Sequence, residues 1–381
     1  LPISIAGFTT TGTLTSTKTA GTATFSSGSS LGALTMNGTG GTLNLGTSLT
    51  HTVTGAVTLT AGTLNGGSST LNIGGNMSGA STFTASTGTV NFNGSSAQTT
   101  AGYTFNTLKS NNSAGLSATA AVTVKSLTIG DVTANSIFSD GGFQIATSGS
   151  GTLSISSGSK LNIGSTTVAT ATTFPTNFTT ISLNSASTVT FQANIAQTIS
   201  STPTYGNLTL STGASSTTKT AGGALTVAGN LSINASTTFD ASTFTHNIGG
   251  NFSNSGTFTA STGTINCNGT SAQSISGTLT FNTLKSNNTI GVSLSNGVTL
   301  KTLTIGDVTS SSIFSDNGQT ITLSASSALN LTSGTYKLGS GTTATSFPGF
   351  ASVTISSGTT VEYAAGVTQT VSGTPTYHHL T

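Results

Sequence analysis

The sequence predicts an all-β protein, and within that class a β-solenoid, a parallel β-helix-like coil built of two long repeats. Three observations favour it. Internal repeats about 175 residues apart fill most of the 381 residues. Apolar and polar residues alternate over short segments that Gly and Asn interrupt. Charged residues make up 4% of the chain, against roughly a quarter in an ordinary soluble domain.

The long repeat is the first of these signals. Residues 105–112, Phe-Asn-Thr-Leu-Lys-Ser-Asn-Asn, recur unchanged at 281–288. A shared Thr-Lys-Thr-Ala-Gly phrase surrounds Lys18 and Lys219. From these matches we predict an N-terminal strand segment at 1–17 that joins subunits, a first solenoid repeat at 18–215, and a second at 216–381 that is incomplete at its C-terminal end.

The strand signal has period two. Leu127-Thr-Ile129 and Leu161-Asn-Ile163 alternate in the manner of half-buried strands. Asn93-Gly94 and Asn268-Gly269 supply the tight corners between strands. Such short strands favour a narrow coil, in which about 22 residues make one circuit and the chain gives roughly 17 turns. Tandem β-sandwich modules remain the alternative architecture.

A shorter signature lies inside each long repeat. Val90-Asn-Phe92 leads to Gln98, and Ile265-Asn-Cys267 leads to Gln273, with further copies ending at Gln197 and Gln369. Cys267 stands where the other copies carry an aromatic residue, so we expect a small core residue and not a nucleophile. Because the chain has one cysteine, it forms no internal disulfide.

The composition excludes several classes of function. The 8 basic residues are all lysine and are scattered, which excludes the basic stripe that nucleic-acid binding requires. No apolar run approaches the roughly 20 residues of a membrane span. The histidines do not stand at metal-ligand spacing, and Asp131 with Asp140, like Asp307 with Asp316, fits tight corners better than a glycosidase pair. We therefore expect no enzyme: no catalytic, cofactor-binding or metal-binding residue, and no cofactor.

The phrases Gln273-Ser-Ile-Ser-Gly277 with Phe281-Asn-Thr-Leu284, and Gly229-Asn-Leu-Ser-Ile233, resemble repeats of large secreted bacterial surface proteins, including adhesin-like β-solenoid arrays. The resemblance is one of low-complexity sequence and covers nearly the whole chain. It implies an extracellular or cell-surface location and a structural role.

The two ends of the sequence complement each other. Tyr377-His-His-Leu-Thr381 matches Tyr205-Gly-Asn-Leu-Thr209, and Thr381 followed by Leu1 restores the interrupted repeat with a few extra residues. An open contact of this kind joins identical subunits head to tail and generates a filament. The residues that we expect at this junction are Leu1, Ile3, Ile5, Phe8, Tyr377, His378, His379 and Leu380.

We therefore predict a subunit of an extracellular filament or sheath that self-assembles as a homopolymer through strand stacking. Other functions stay open. A surface adhesin stalk or carbohydrate-binding rod is the first alternative, and an ice-binding solenoid, suggested by pairs such as Thr13-Leu-Thr15, is a weaker one. The remaining alternative is that these 381 residues are a segment of a longer natural array, in which the two ends have no meaning. Asn-x-Ser/Thr sequons such as that at Asn37 leave glycan attachment undecided.

Overall fold

A computed structural model describes residues 3–213 and 215–381. The described chain is a β-solenoid of about 19 turns without a helix, which confirms the predicted fold class and excludes tandem sandwiches. It divides into two compact units, 1–193 and 194–381. The sequence predicts a boundary between the two repeats at 215/216, and that boundary stays a prediction.

The strands of unit 1 are β1 (Ile3–Ile5), β2 (Thr13–Ser16), β3 (Thr22–Phe25), β4 (Ser30–Leu31), β5 (Ala33–Asn44), β6 (Thr50–Val53), β7 (Val57–Asn65), β8 (Thr70–Ile73), β9 (Met77–Ser78), β10 (Thr82–Thr84), β11 (Thr89–Phe92), β12 (Gln98–Thr100), β13 (Thr104–Ser110), β14 (Leu116–Ala118), β15 (Thr123–Ile129), β16 (Ile137–Ser139), β17 (Ala146–Thr147), β18 (Thr152–Ile155), β19 (Lys160–Ile163), β20 (Thr180–Leu183) and β21 (Thr188–Phe191).

The strands of unit 2 are β22 (Gln197–Ile199), β23 (Thr204–Tyr205), β24 (Asn207–Leu210), β25 (Thr217–Ala221), β26 (Thr226–Val227), β27 (Leu231–Ile233), β28 (Thr237–Asp240), β29 (Thr245–Ile248), β30 (Phe252–Asn254), β31 (Thr257–Thr259), β32 (Thr264–Cys267), β33 (Gln273–Ser276), β34 (Leu279–Ser286), β35 (Val292–Leu294), β36 (Val298–Ile305), β37 (Ile313–Ser315), β38 (Ile321–Leu331), β39 (Thr335–Gly341), β40 (Ser352–Ile355), β41 (Thr360–Ala365) and β42 (His379–Leu380).

Each unit has three faces of parallel strands, which the chain visits in a fixed order. Face A contains β10 in unit 1 and β31 in unit 2; face B contains β11 and β32; face C contains β12 and β33. Every strand pairs with the strand one circuit away, as β11 does with β8 and β13. The near-regular spacing of apolar segments fixes this pairing, because each circuit returns an equivalent residue to the same face.

The core is the interior of the coil. On face B, Leu71, Val90 and Leu108 occupy one register position in successive turns, and each is at most 3% exposed. The alternate residues face outwards, as period two requires. Burying a side chain of this size stabilises the fold by about 1.5–3 kcal/mol, so the stacked aliphatic columns supply the main stabilising free energy.

The two lysines that share a sequence phrase occupy different places in the coil. Lys219 lies on face A beside Phe239, in the register position that Leu43, beside Leu64, takes in unit 1. Lys18 instead lies between β2 and β3 and is half-buried. The structural repeat therefore keeps its offset here, and the Thr-Lys-Thr-Ala-Gly phrase does not mark equivalent positions.

Candidate functional site: terminal strand edges and polar corners

The first turn of unit 1 holds three of the predicted junction residues. β1 pairs with β3, so that Ile5 lies opposite Phe25. Ile3 is 50% and Phe8 37% exposed, although both are apolar. Leu1 lies outside the described residues. Apolar side chains on a strand with a single described neighbour are the feature that edge strands in monomers usually avoid.

The last turn of unit 2 holds the other four. His379 and Leu380 form β42, which pairs with β41, and Leu380 is 44% exposed. His378 is also exposed. The Tyr377 hydroxyl contacts that of Tyr363 at 3.0 Å. The structure thus places the predicted residues in two groups, one in each unit.

An internal turn of unit 2 shows what covers such positions elsewhere. Ile199, Tyr205 and Leu208 are each 0% exposed. They lie opposite residues of the following turn on faces A, B and C respectively, namely Ala221, Val227 and Leu231.

Their counterparts in the last described turn are more exposed. The sequence signature aligns Gln197 with Gln369 and therefore Ile199 with Val371, which is 48% exposed. Tyr377 and Leu380, the counterparts on faces B and C, are half-buried and exposed. Sequence reasoning did not include Val371 among the candidate residues, although the spacing from Gln369 identifies this position.

The first turn of unit 1 visits the faces in the order that such a cover requires. β1 belongs to face A, Thr9 forms a bridge to Ser30 on face B, and β2 pairs with β5 on face C. The covering turn inside unit 2, β25 to β27, follows the same order from A to C. The first and last turns thus visit the faces in the same order, and in the last turn β42 on face C is the strand that the structure describes.

The glutamine of the sequence signature is a buried side chain that hydrogen-bonds neighbouring turns to one another at a corner of the coil. Gln98 is 2% exposed. Its Oε1 accepts hydrogen bonds from Gly94 N at 2.9 Å and Asn112 Nδ2 at 2.8 Å. Its Nε2 donates to Ile73 O at 2.8 Å and Gly75 O at 2.5 Å. Gln273 repeats the set with Gly269, Asn288, Ile248 and Gly250. The side chain saturates its hydrogen-bonding capacity, which explains why the signature requires an amide.

Asparagines form a ladder on the outside of face B. Asn91 Nδ2 donates to Asn72 Oδ1 at 2.8 Å, and Asn111 Nδ2 donates to Asn91 Oδ1 at 2.9 Å. The ladder ends at Asp131, which also pairs with Lys109 at 2.5 Å. Burial raises the pKa of Asp131, but the bonds from Lys109 and Asn111 outweigh it, and the pKa is lowered overall. Unit 2 repeats the arrangement at Asp307.

The second pair of aspartates closes tight corners. Asp140 Oδ1 accepts hydrogen bonds from Gly142 N at 2.8 Å and Gly164 N at 2.9 Å, and Oδ2 accepts one from Thr172. Burial raises the pKa of Asp140, and the hydrogen bonds oppose this shift. Asp316 has the equivalent partners and the same direction of shift. Asp131 binds the side chains of Lys109 and Asn111, whereas Asp140 binds the backbone amides of two glycines, which supports the corner interpretation over a carboxylate pair.

The remaining candidate groups are parts of the core. Cys267 is 1% exposed, and burial raises its pKa to about 12, so the thiol stays protonated. His246 accepts a hydrogen bond from Leu225 N and donates to Ala241 O, and burial lowers its pKa. His51 is equally buried and its pKa is lowered for the same reason. In the part of the chain that the structure describes, no three His, Cys, Asp or Glu side chains cluster as metal ligands.

No known protein family, curated protein or solved structure matches this chain. Nothing among residues 3–213 and 215–381 forms a helix with the length and apolarity that a membrane crossing requires.

Proposed function

We propose that this protein is a structural subunit of an extracellular filament, in which the last turn of unit 2 stacks on the first turn of unit 1 of a second copy. The matched order of faces carries the proposal. The following turn buries residues 199, 205 and 208 completely, whereas the equivalent residues 371, 377 and 380 are partly exposed. A second copy presents strands in the sequence A, B, C that cover them.

The chemistry of the two edges supports the same conclusion. No charged residue occurs in 1–17 or 363–381, so neither edge carries the lysines that keep edge strands from pairing. Val371 and Leu380 are about half exposed, and covering each contributes about half of the 1.5–3 kcal/mol of full burial. Backbone hydrogen bonds on three faces add directionality.

The extracellular assignment rests on the sequence. A chain with 4% charged residues, no arginine and one cysteine resembles secreted surface arrays. A role in mechanical continuity, without catalysis or a cofactor, is what stacked strands and inert buried groups favour.

Sedimentation velocity and negative-stain electron microscopy of the purified chain test the proposal. We expect concentration-dependent unbranched filaments from the wild type and dispersed particles from Val371→Lys, which places a charge in the contact. Val132→Lys is the matched control, because Val132 is 81% exposed in a corner loop away from the strand edges.

A wild-type chain that stays monomeric at all concentrations would refute the proposal, as would loss of filaments in the Val132 control. The mass of the native polypeptide shows whether a second copy or a continuation of the same polypeptide covers the last turn. A native polypeptide that continues as further repeats beyond these 381 residues would overturn assembly from separate copies.

A further inference from the structure

A recess lies at the corner between faces A and B, and it occurs in both units. In unit 1 four residues, 85–88, separate β10 from β11, and four, 148–151, separate β17 from β18. In the two turns between these loops, β13 and β15 pass from face A to face B through a single residue each, Asn106 and Lys125. The strand pairing is interrupted at these two residues. Two narrow corners between two wide loops leave a recess.

Unit 2 has the same pattern of corner lengths. Four residues, 260–263, separate β31 from β32, and four, 324–327, separate the face A and face B parts of β38. Asn282 and Lys301 form the single-residue corners between them. The recesses have volumes of about 420 and 390 Å³, within the range of small-ligand sites.

The two recesses have the same lining, although other parts of the repeat have diverged. Nine residues line each one, and all nine are of the same type in both units. Outside the recesses, Ala114 corresponds to Ile290 and Phe143 to Gln319. The unit 1 recess is lined by, among others, Phe83, Ser86, Phe105, Asn106 and Lys125.

The lining combines an apolar floor with hydrogen-bonding rims. Phe83 and Phe105 lie beneath the recess. Phe83 is 9% exposed and Phe105 is 0% exposed, so Phe83 supplies the apolar floor that a ligand can reach. Ser86 Oγ donates to Asn65 Oδ1 at 2.9 Å, which leaves the Ser86 lone pairs to accept. Asn106 Nδ2 donates to Thr87 O at 3.0 Å, and its Oδ1 accepts no hydrogen bond from the described residues. The recess therefore offers acceptors to ligand hydroxyl groups.

Lys125 and Lys301 are the only charged groups that line the recesses. Both are exposed. The ion pairs within the described residues use Lys109, Lys285 and Lys337, so neither recess lysine has a carboxylate partner there. A ligand anion is the complementary group.

We propose that each recess binds a short segment of an acidic polysaccharide, with sugar rings over the apolar floor and one carboxylate against the lysine. The recess extends over three strand spacings, about 14 Å, and follows the stacking axis of its unit, which suits a linear chain of hydroxylated rings. A single cation per recess is too little for a polyphosphate backbone. This binding activity is separate from filament formation.

The recesses differ in one neighbouring group. In unit 2 Ser261 Oγ donates to Asp240 Oδ1 at 3.0 Å, where unit 1 has the neutral Asn65. A carboxylate behind the rim disfavours an anionic ligand. The unit 1 recess therefore binds the acidic segment more tightly than the unit 2 recess.

Isothermal titration calorimetry with oligogalacturonate, a neutral cello-oligosaccharide of equal length and sodium sulfate tests the inference. We expect oligogalacturonate alone to bind, and to bind more weakly as salt is added. Lys125→Gln with Lys301→Gln weakens binding at least tenfold, which corresponds to about 1.4 kcal/mol. Lys160→Gln, an exposed lysine of β19 on face C, leaves it unchanged.

The single variants sharpen the test. Lys125→Gln weakens binding more than Lys301→Gln, and Asp240→Asn tightens the unit 2 recess. Absence of oligogalacturonate binding, equal binding of the neutral oligomer, or an equal loss in Lys160→Gln would each overturn the inference. Since recess and strand edge are separate, filament formation by these variants reports independently on the proposed function.

Discussion

Replacement of Gln98 by Leu tests whether the buried glutamine corner holds successive turns together. The variant removes four hydrogen bonds. Two partners keep another bond, because Ile73 O still accepts from Asn93 N and Asn112 Nδ2 still donates to Ser96 O. Gly94 N and Gly75 O are left without their glutamine partner. An unsatisfied buried group costs about 1–3 kcal/mol. Because Gly94 and Gly75 are only half-buried, we expect about 1–2 kcal/mol for each of these two groups, a loss of about 2–4 kcal/mol in local stability.

Hydrogen exchange with mass spectrometry measures this loss directly, because solenoids open locally and the exchange of each peptide reports the stability of its own turn. Peptides covering 94–115 should exchange about 30- to 1,000-fold faster in Gln98→Leu. Gln144→Leu is the matched control, since Gln144 is exposed and its bonds to Thr173 are at the surface. Unchanged protection in Gln98→Leu, or an equal loss in Gln144→Leu, would refute the reasoning.

Three further predictions concern charge. The buried histidines His51 and His246 have lowered pKa values. Below about pH 6.5 the unfolded chain therefore binds protons that the folded chain does not. The free energy of unfolding falls as the pH drops, by up to about 2.7 kcal/mol per pH unit for the two histidines together. Calorimetric Tm against pH should lose this slope in the His51→Gln, His246→Gln double variant, and a retained slope contradicts the assignment. Burial lowers the pKa of Lys219 to about 8, so the free energy of unfolding rises with pH between about 8 and 10.5. Urea titrations of Lys219→Met should show no such rise. A rise that persists in this variant would show that another group causes it. Asp131→Asn should lower the unfolding free energy by less than about 1 kcal/mol at pH 7, because its pair with Lys109 is partly exposed; a larger loss in urea titrations would show that the Asn ladder depends on the carboxylate.

The prediction of a coil over sandwiches succeeded for a physical reason. Alternation such as Leu161-Asn-Ile163 indicates which side chains point inwards. The recurrence of apolar segments about every 20 residues indicates which strands become neighbours. The same pattern placed Cys267 in the core, where it lies opposite Ile248 and Ser286. The glutamine signature was visible in the sequence, but its partners come from other turns and could not be read from it.

Other features depend on register, which a sequence match does not fix. Lys18 and Lys219 share a phrase, yet Lys219 replaces a leucine of the interior while Lys18 is half-buried between strands. The recess at Asn106 and Lys125 arises from the lengths of four successive corners. Corner length becomes meaningful only when the strands on either side are assigned to faces.

The sequence by itself determined that this chain folds into stacked β-strands with an aliphatic interior, because alternation and repetition are local properties of the residue order. The tertiary structure alone decided which polar groups meet across turns, which apolar side chains at the first and last turns stay exposed, and where a cationic recess opens. Those outcomes depend on contacts between residues some 20 positions apart, and insertions of one or two residues at a corner change them without changing the strand pattern.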